Sequence, residues 1–248
     1  MRFNLWFFSI CFLCALSAKG NSISKGAEVR VGAGVAYSFV EFDNQNMPLS
    51  IGMEFNGKAL SGLPAHDREF TLPFPAGTIL APYNHLTMNW NPHGHFPDEV
   101  YGVSHFDFHF YFITEKARQK IRCSDNNNDP CTRLPLEEYT PPFYVPAPEG
   151  VSNMGWHWVD SRSPELNGKA FTTTFIYGYY RSEFIFVEPM MSHSFLLTKP
   201  QFESDIETPP KIKLTGYYPR SYSLKYDSVR DLYSLRLQKL QLRATSDF

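Results

Sequence analysis

The run NWNPHGHFPDEVYGVSHFDFHFYFI, residues 89–113, carries four of the chain's eight histidines together with Asp98, Glu99 and Asp107. Imidazole and carboxylate are the side chains that ligate divalent ions and that move protons near neutral pH. In an extended HFDFHFY, successive side chains point to opposite faces. His105, Asp107, His109 and Tyr111 therefore share one face, and Phe106, Phe108 and Phe110 the other. The phenylalanine face reads as core. The other face is a row of ligand-type groups where a merely solvated strand would carry Lys, Thr, Ser and Glu at least as often.

Other segments must complete such a site. GWHWVD puts His157 in a strand with Trp156 and Trp158 turned away, and EFIFVEPMM puts Glu188 at a strand end before Pro189. The set predicts metal ligands His105, His109, His157 and Glu188, holding Zn, Mn or Fe with an open coordination position for a small molecule. His95, in a Gly/Pro-rich loop, is the expected acid–base group, with Asp107 beside it as substitute ligand or as the acceptor that fixes an imidazole tautomer. Spacing sets a condition on this reading. Residues two apart on a strand lie about 6.5–7 Å apart, so His105 and His109 are about 13 Å apart on a straight one. With a metal–nitrogen bond near ~2.1 Å, either the chain bends at Ser104 or Asp107 enters the site. His85 and His93 read as surface or hydrogen-bonding residues, and His66 and His193 have no constellation around them. The competing reading is a non-enzymatic, self-associating binding protein in which the histidines brace a buried polar network.

The elements expected to position these groups are mostly strands. AEVRVGAGVAYSFVEFD, LSIGMEF, REFTLPFP, NHLTMNW, HFDFHFYFI, GWHWVD, AFTTTFIYGYY and EFIFVEPMM alternate in character and are bounded by Pro, Gly or Asn. Thr114 offers an N-cap for TEKARQKI, the clearest short helix. The proline-rich segment 135–148 cannot be a central strand and reads as an ordered surface connection. The C-terminal part reads as a hairpin, with a phase change that predicts a bulge near Gln238-Lys239. The expectation is an all-β, mainly antiparallel fold, a single barrel- or sandwich-like domain over residues 21–248 with one or two short helices.

A formal charge of -2 and the lack of a basic stripe exclude a nucleic-acid groove. Residues 1–20 read as a secretory signal peptide, a short positive start followed by an apolar run, which predicts a secreted or periplasmic protein with no membrane span after cleavage. The remaining pair, Cys123 and Cys131, predicts a disulfide closing CSDNNNDPC. That loop alternates Asp125, Asn127 and Asp129 as a calcium loop does, but Pro130 and Leu136 stand where Gly and Glu are required. No GxSxG, HExxH, P-loop or CxxC motif is present.

Taken together, LSIGMEFNGKALSGLP, NHLTMNWNPHGHFPDEVYGVSHFDFHFY, MGWHWVDSRSPELNGKAFTTTFIYGYY and FIFVEPMMSHSFL resemble a bacterial family of unknown function with a PHFDFHFY signature and a Thermus prototype. The resemblance runs from about residue 28 to 242. It implies a β-rich, exported, self-associating domain and brings no established reaction. The family pattern coincides with His95, His105, Asp107, His109, His157 and Glu188. Ser104 departs from it where the family has Pro, and Phe96 where an acidic residue is common.

Overall fold

In a computed structural model, which describes residues 20–124 and 129–245, alternating apolar residues build two antiparallel sheets packed face to face. The first runs in the order β1 (Ser22–Lys25), β3 (Gly34–Phe42), β4 (Pro48–Asn56), β15 (Leu232–Gln238), β14 (Ser221–Asp227) and β12 (Gln201–Asp205), with β2 (Val29–Val31) beside β3. The second runs β5 (Arg68–Leu72), β6 (His85–Asn91), β7 (His105–Tyr111), β11 (Glu183–Ser192), β10 (Thr173–Tyr180), β9 (Gly155–Asp160) and β8 (Tyr144–Val151). A small ribbon pairs β13 (Gly216–Tyr218) with β16 (Gln241–Arg243). The sheets do not close, so of the two expected architectures the sandwich holds and the barrel does not. Among the described residues three short helices, α1 (Asp98–Tyr101), α2 (Glu115–Arg118) and α3 (His193–Leu197), stand where one or two were expected.

Phe106, Phe108 and Phe110 are fully buried between the sheets, as the alternation of HFDFHFY requires. Phe108 meets Phe55 of β4 at 5.9 Å between ring centroids, and Phe55 stacks on Tyr233 of β15 at 5.0 Å. These rings bury much of the apolar area that drives folding. The opposite face of β7 carries a second, smaller core built from Tyr101, Ile121, Phe171, Ile176, Phe186 and Met190. Loops around α1 and after α2 supply part of this cover, so β7 is buried on both faces.

Three local expectations change. The segment 135–148 is a connection only in its first part. From Tyr144 it becomes β8, an edge strand, where Pro146 and Pro148 are tolerated because only one side of the strand must donate to a ladder. The phase change at Gln238-Lys239 is a break, not a bulge. Lys239 adopts φ 53°, ending β15, and the chain crosses to pair with β13. The helix at TEKARQKI is capped by Thr114, whose hydroxyl accepts from the Ala117 N–H at 3.2 Å, but it extends only through Arg118. The hairpin of β14 and β15 and the Cys123–Cys131 disulfide, with Cα atoms 5.3 Å apart, are present as expected. Among the described residues no helix is long and apolar enough to cross a membrane. The segment read as a signal peptide lies outside the described residues except for Gly20, and the Asp125 and Asn127 positions of the calcium-like loop also lie outside them.

Candidate metal centre

The histidine-bearing face of β7 looks away from the inter-sheet core, not into a barrel interior. His105, Asp107 and His109 are buried there, flanked on β6 by Asn91, Asn89 and Thr87 respectively. On the other side β11 sets Met190 opposite Asp107, which makes Glu188 a diagonal neighbour of Asp107, about 7–8 Å away by sheet geometry. Glu188 is mid-strand and not at a strand end as expected. Pro189 beside it has no N–H to donate, and pairing between β11 and β7 is interrupted across these two residues while pairing with β10 continues. His157 reaches the same face from β9.

The six expected residues separate into two groups, each able to hold a metal ion. His95 joins His105 and Asp107, and His109 joins His157 and Glu188. The single set of His105, His109, His157 and Glu188 is therefore not assembled. β7 pairs with β6 without a register shift from His105 to Tyr111, so the strand stays straight and the two imidazoles remain too far apart for one ion. Of the two options that spacing left open, Asp107 takes its place beside His105; the chain bends at Val103, before β7 begins, and this does not bring His105 to His109.

In the first group, backbone carbonyls fix the imidazoles. His105 Nδ1 donates to the Val103 carbonyl at 2.7 Å and His95 Nδ1 to the Phe96 carbonyl at 2.9 Å, so both turn Nε2 toward Asp107. His105 Nε2 lies 3.1 Å from Asp107 Oδ1, His95 Nε2 lies 3.8 Å from Oδ2, and Asn91 donates to Oδ2 at 2.7 Å. Burial lowers the basicity of His105, but the adjacent Asp107 carboxylate outweighs it and leaves the imidazole raised above its usual value. For Asp107, burial acts upward and is overcome mainly by His105, which holds the carboxyl well below the usual range. This pair compensates its own charge. His95, with a side chain 40% exposed, is the accessible member.

The second group is not compensated. His109 Nε2 is 3.5 Å from Glu188 Oε1, and His157 Nε2 is 3.4 Å from Oε2. Ligand atoms around a tetrahedral ion with bonds near ~2.1 Å stand about 3.4 Å apart; each imidazole meets a different carboxylate oxygen at this spacing, and one donor atom from each of the three residues lies within 4.8 Å of the others, so sharing an ion requires the three side chains to draw together. Burial pushes His109 well below its ordinary value and His157 down to about 4, which leaves both rings neutral with lone pairs to offer. Burial, reinforced by the Asp107 charge, pushes Glu188 well above the usual carboxylate range. Both ring nitrogens of His109 and Oε2 of Glu188 are buried without a hydrogen-bond partner, a costly condition for polar atoms.

Two residues, one for each group, escape a reading of residue chemistry alone. Gly178 of β10 lies between Phe186 and His157 in the sheet. A methyl group there would fall 2.0 Å from the Phe186 ring, which itself packs against His109 at 5.0 Å and His157 at 5.1 Å. Gly178 thus lets one aromatic ring lie beneath both imidazoles. Gly178→Ala is expected to cost about 1–3 kcal/mol through overpacking and to separate His157 from Glu188. An unchanged denaturation midpoint would show that the ring has room to move. Asn91 fixes Asp107; strand parity places it on one face with Asn89, but only the pairing of β6 with β7 gives it a role.

Both groups open on one cavity of about 490 Å³, lined by His95, Asp107, His157 and Glu188 among others. Of the remaining histidines, His85 is not at the surface. It is buried and stacks on Tyr111 at 4.8 Å, and Tyr111 stacks on His109 at 5.1 Å. His193 is held by the Leu60 carbonyl at 3.0 Å, and His66 and His93 are exposed.

No curated protein and no solved structure matches the chain. None of the six site residues falls within residues 43–90, and over those residues the chain matches a family described as TTHB210-like, "Hypothetical protein TTHB210", in line with the resemblance to a Thermus-prototype family of unknown function.

Proposed function

We propose that the protein is an exported divalent-metal-binding protein whose ion is held by His109, His157 and Glu188 and supports chemistry on a small molecule. The observation that carries this reading is the convergence of two neutral imidazoles and a buried carboxylate, with His109 Nε2 and Glu188 Oε2 left without any other partner. Two nitrogens and one carboxylate with open positions suit Zn, Mn or Fe better than the all-oxygen preference of Ca or Mg. A bound ion would supply Lewis acidity or lower the pKa of a coordinated water. His95 then acts as the proton-transfer group, because its Nε2 faces both the cavity and the Asp107–His105 pair.

Elemental analysis of untagged protein recovered from the periplasm or medium tests this. About one equivalent of metal is expected, lost in His109→Ala and His157→Ala and retained in His95→Ala. Folded, metal-free protein indifferent to a chelator overturns the proposal. A second reading, self-association without catalysis, draws support from one surface feature. Leu134, Leu136, Phe143, Val145 and Val151 are all exposed along the segment that leads into and forms the edge strand β8. Sedimentation of wild type and Leu134→Asp/Leu136→Asp should then show a larger species converted to monomer, and a monomeric wild type removes this reading.

A further inference from the structure

In the group of His95, His105 and Asp107, acceptor atoms face one another with too few protons between them. A backbone carbonyl can only accept. Nδ1 of His105 therefore carries the proton it gives to the Val103 carbonyl at 2.7 Å, and Nδ1 of His95 the one it gives to the Phe96 carbonyl at 2.9 Å. In each neutral ring Nε2 is then a bare acceptor. His105 Nε2 meets Asp107 Oδ1 at 3.1 Å, and His95 Nε2 meets Oδ2 at 3.8 Å, both of them acceptors too. One proton between His105 and Asp107 balances their charge, yet His105 Nε2 and Asp107 Oδ1 are buried and neither has an aligned hydrogen-bond partner. A divalent ion among the three residues would satisfy every one of these atoms. An imidazole that donates its other ring N–H to a carbonyl is, moreover, the usual form of a metal-ligating histidine.

The arm that carries His95 is held in place by the fold. Gly94 adopts φ 71°, and a Cβ there would fall 2.0 Å from the Tyr101 carbonyl oxygen. The His95 N–H donates to that same carbonyl at 3.3 Å. The His95 ring then packs edge-on to His105 at 4.7 Å and against Tyr101 at 5.8 Å, while Phe171 backs His105 at 5.6 Å. Asn91 fixes the carboxylate through Oδ2 at 2.7 Å. One donor atom from each of the three residues lies within 4.8 Å of the others, so the side chains must draw in around an ion. His95, with a side chain 40% exposed, has the freedom to do so, and with Asp107 it lines the cavity through which an ion would arrive.

We propose that His95, His105 and Asp107 form a second divalent-ion site, separate from the group of His109, His157 and Glu188 and filled after it. Two imidazole nitrogens and one carboxylate oxygen select an ion such as Zn over Mg or Ca. Affinity is lower here because the ion must displace the His105–Asp107 pair and meets solvent at His95. Filling the site engages His95, so the second ion and the proton-transfer role given to His95 exclude each other. That consequence rests on the proposed function; the site itself does not.

The test is calorimetric titration of zinc alone into untagged, chelator-treated protein. Two equivalents in two steps are expected. His157→Ala should lose the tighter step and keep the weaker. His95→Ala should keep the tighter step and weaken the other at least about tenfold. Asp107→Asn should do the same, and His95→Ala decides alone if that variant does not fold. His93→Ala, exposed and two residues away, should leave both steps unchanged, which separates this site from zinc held by the loop alone. No uptake beyond the step that His157→Ala removes, a second step that survives His95→Ala, or one lost in His93→Ala overturns the proposal. In each of these results an intact His157-dependent step leaves the proposed function standing. A His95-dependent step without a His157-dependent one does the reverse.

Discussion

Glu188→Gln should make the metal-free protein more stable at neutral pH while weakening divalent-ion binding by more than about a hundredfold. The two effects share one cause. Glu188 is buried between His109 and His157, and burial together with the Asp107 charge favours its protonated form. A carboxyl whose folded pKa is raised contributes stability that is complete below its unfolded value of 4.5 and is lost as pH rises through the raised value. At neutral pH the chain therefore carries a penalty that an uncharged amide of the same shape avoids. The gain should be roughly 1–3 kcal/mol, the range for relieving an uncompensated buried polar group. Gln offers an ion a weak neutral oxygen in place of a carboxylate, so affinity falls at the same substitution. Denaturant melts of chelated protein and competitive metal titration read the two effects separately. A purely structural Glu188 would give a less stable variant, and that result would falsify the assignment.

Acidifying the metal-free protein should destabilise it between pH 6.5 and about 4, with His157 contributing up to roughly 3 kcal/mol of the loss. The sign follows from burial. His157 is neutral in the fold, with its value lowered from 6.5 to about 4, so the unfolded chain binds the extra proton first. Its stabilising contribution is present above 6.5 and disappears as pH falls through 4, and that interval sets the magnitude. His85, also buried and lowered to about 4, adds to the same window, and His109 continues the trend to lower pH. His105 and Glu188 have the opposite sense, since their values are raised: His105 loses its contribution as pH rises above 6.5, and Glu188 regains its own as pH falls towards 4.5, so the contribution of His157 is read as the difference from a variant that lacks it. His157→Gln should accordingly take up one proton fewer on unfolding than wild type across this window. Stability measured at pH 7 and pH 4.5 for both proteins decides the matter, and identical pH slopes would remove His157 from the buried group.

Ion binding links the two predictions. An ion between His109, His157 and Glu188 requires the imidazoles neutral and the carboxyl ionised, so loading should release a proton from Glu188 near neutral pH. The wild-type protein would then show its largest stabilisation by metal where its metal-free form suffers most from Glu188.

Much of this could be read in the chain. Alternation in HFDFHFY fixes which residues of β7 face the core, because a strand has a period of two and one face must be apolar. The same logic turns Trp156 and Trp158 away from His157, and the chemistry of imidazole and carboxylate singles out all six site residues. The cysteine pair and its loop needed only composition and spacing. Strand parity, however, says nothing about which strands are neighbours. The partition into two groups depends on Glu188 of β11 and His157 of β9 lying on the His109 side of Asp107 while the loop at His95 folds over His105, and these are non-local placements. Pro189 ordinarily stops a central strand and so points to a strand end at Glu188, whereas the strand continues to Ser192. Here the fold accepts a gap in one ladder and keeps the other. Gly178 and Asn91 acquire roles only through their cross-strand neighbours. The sequence determined which side chains could do chemistry and which way each strand faced. The tertiary structure decided how they were grouped, because a straight strand holds His105 and His109 about 13 Å apart and each must find its carboxylate separately.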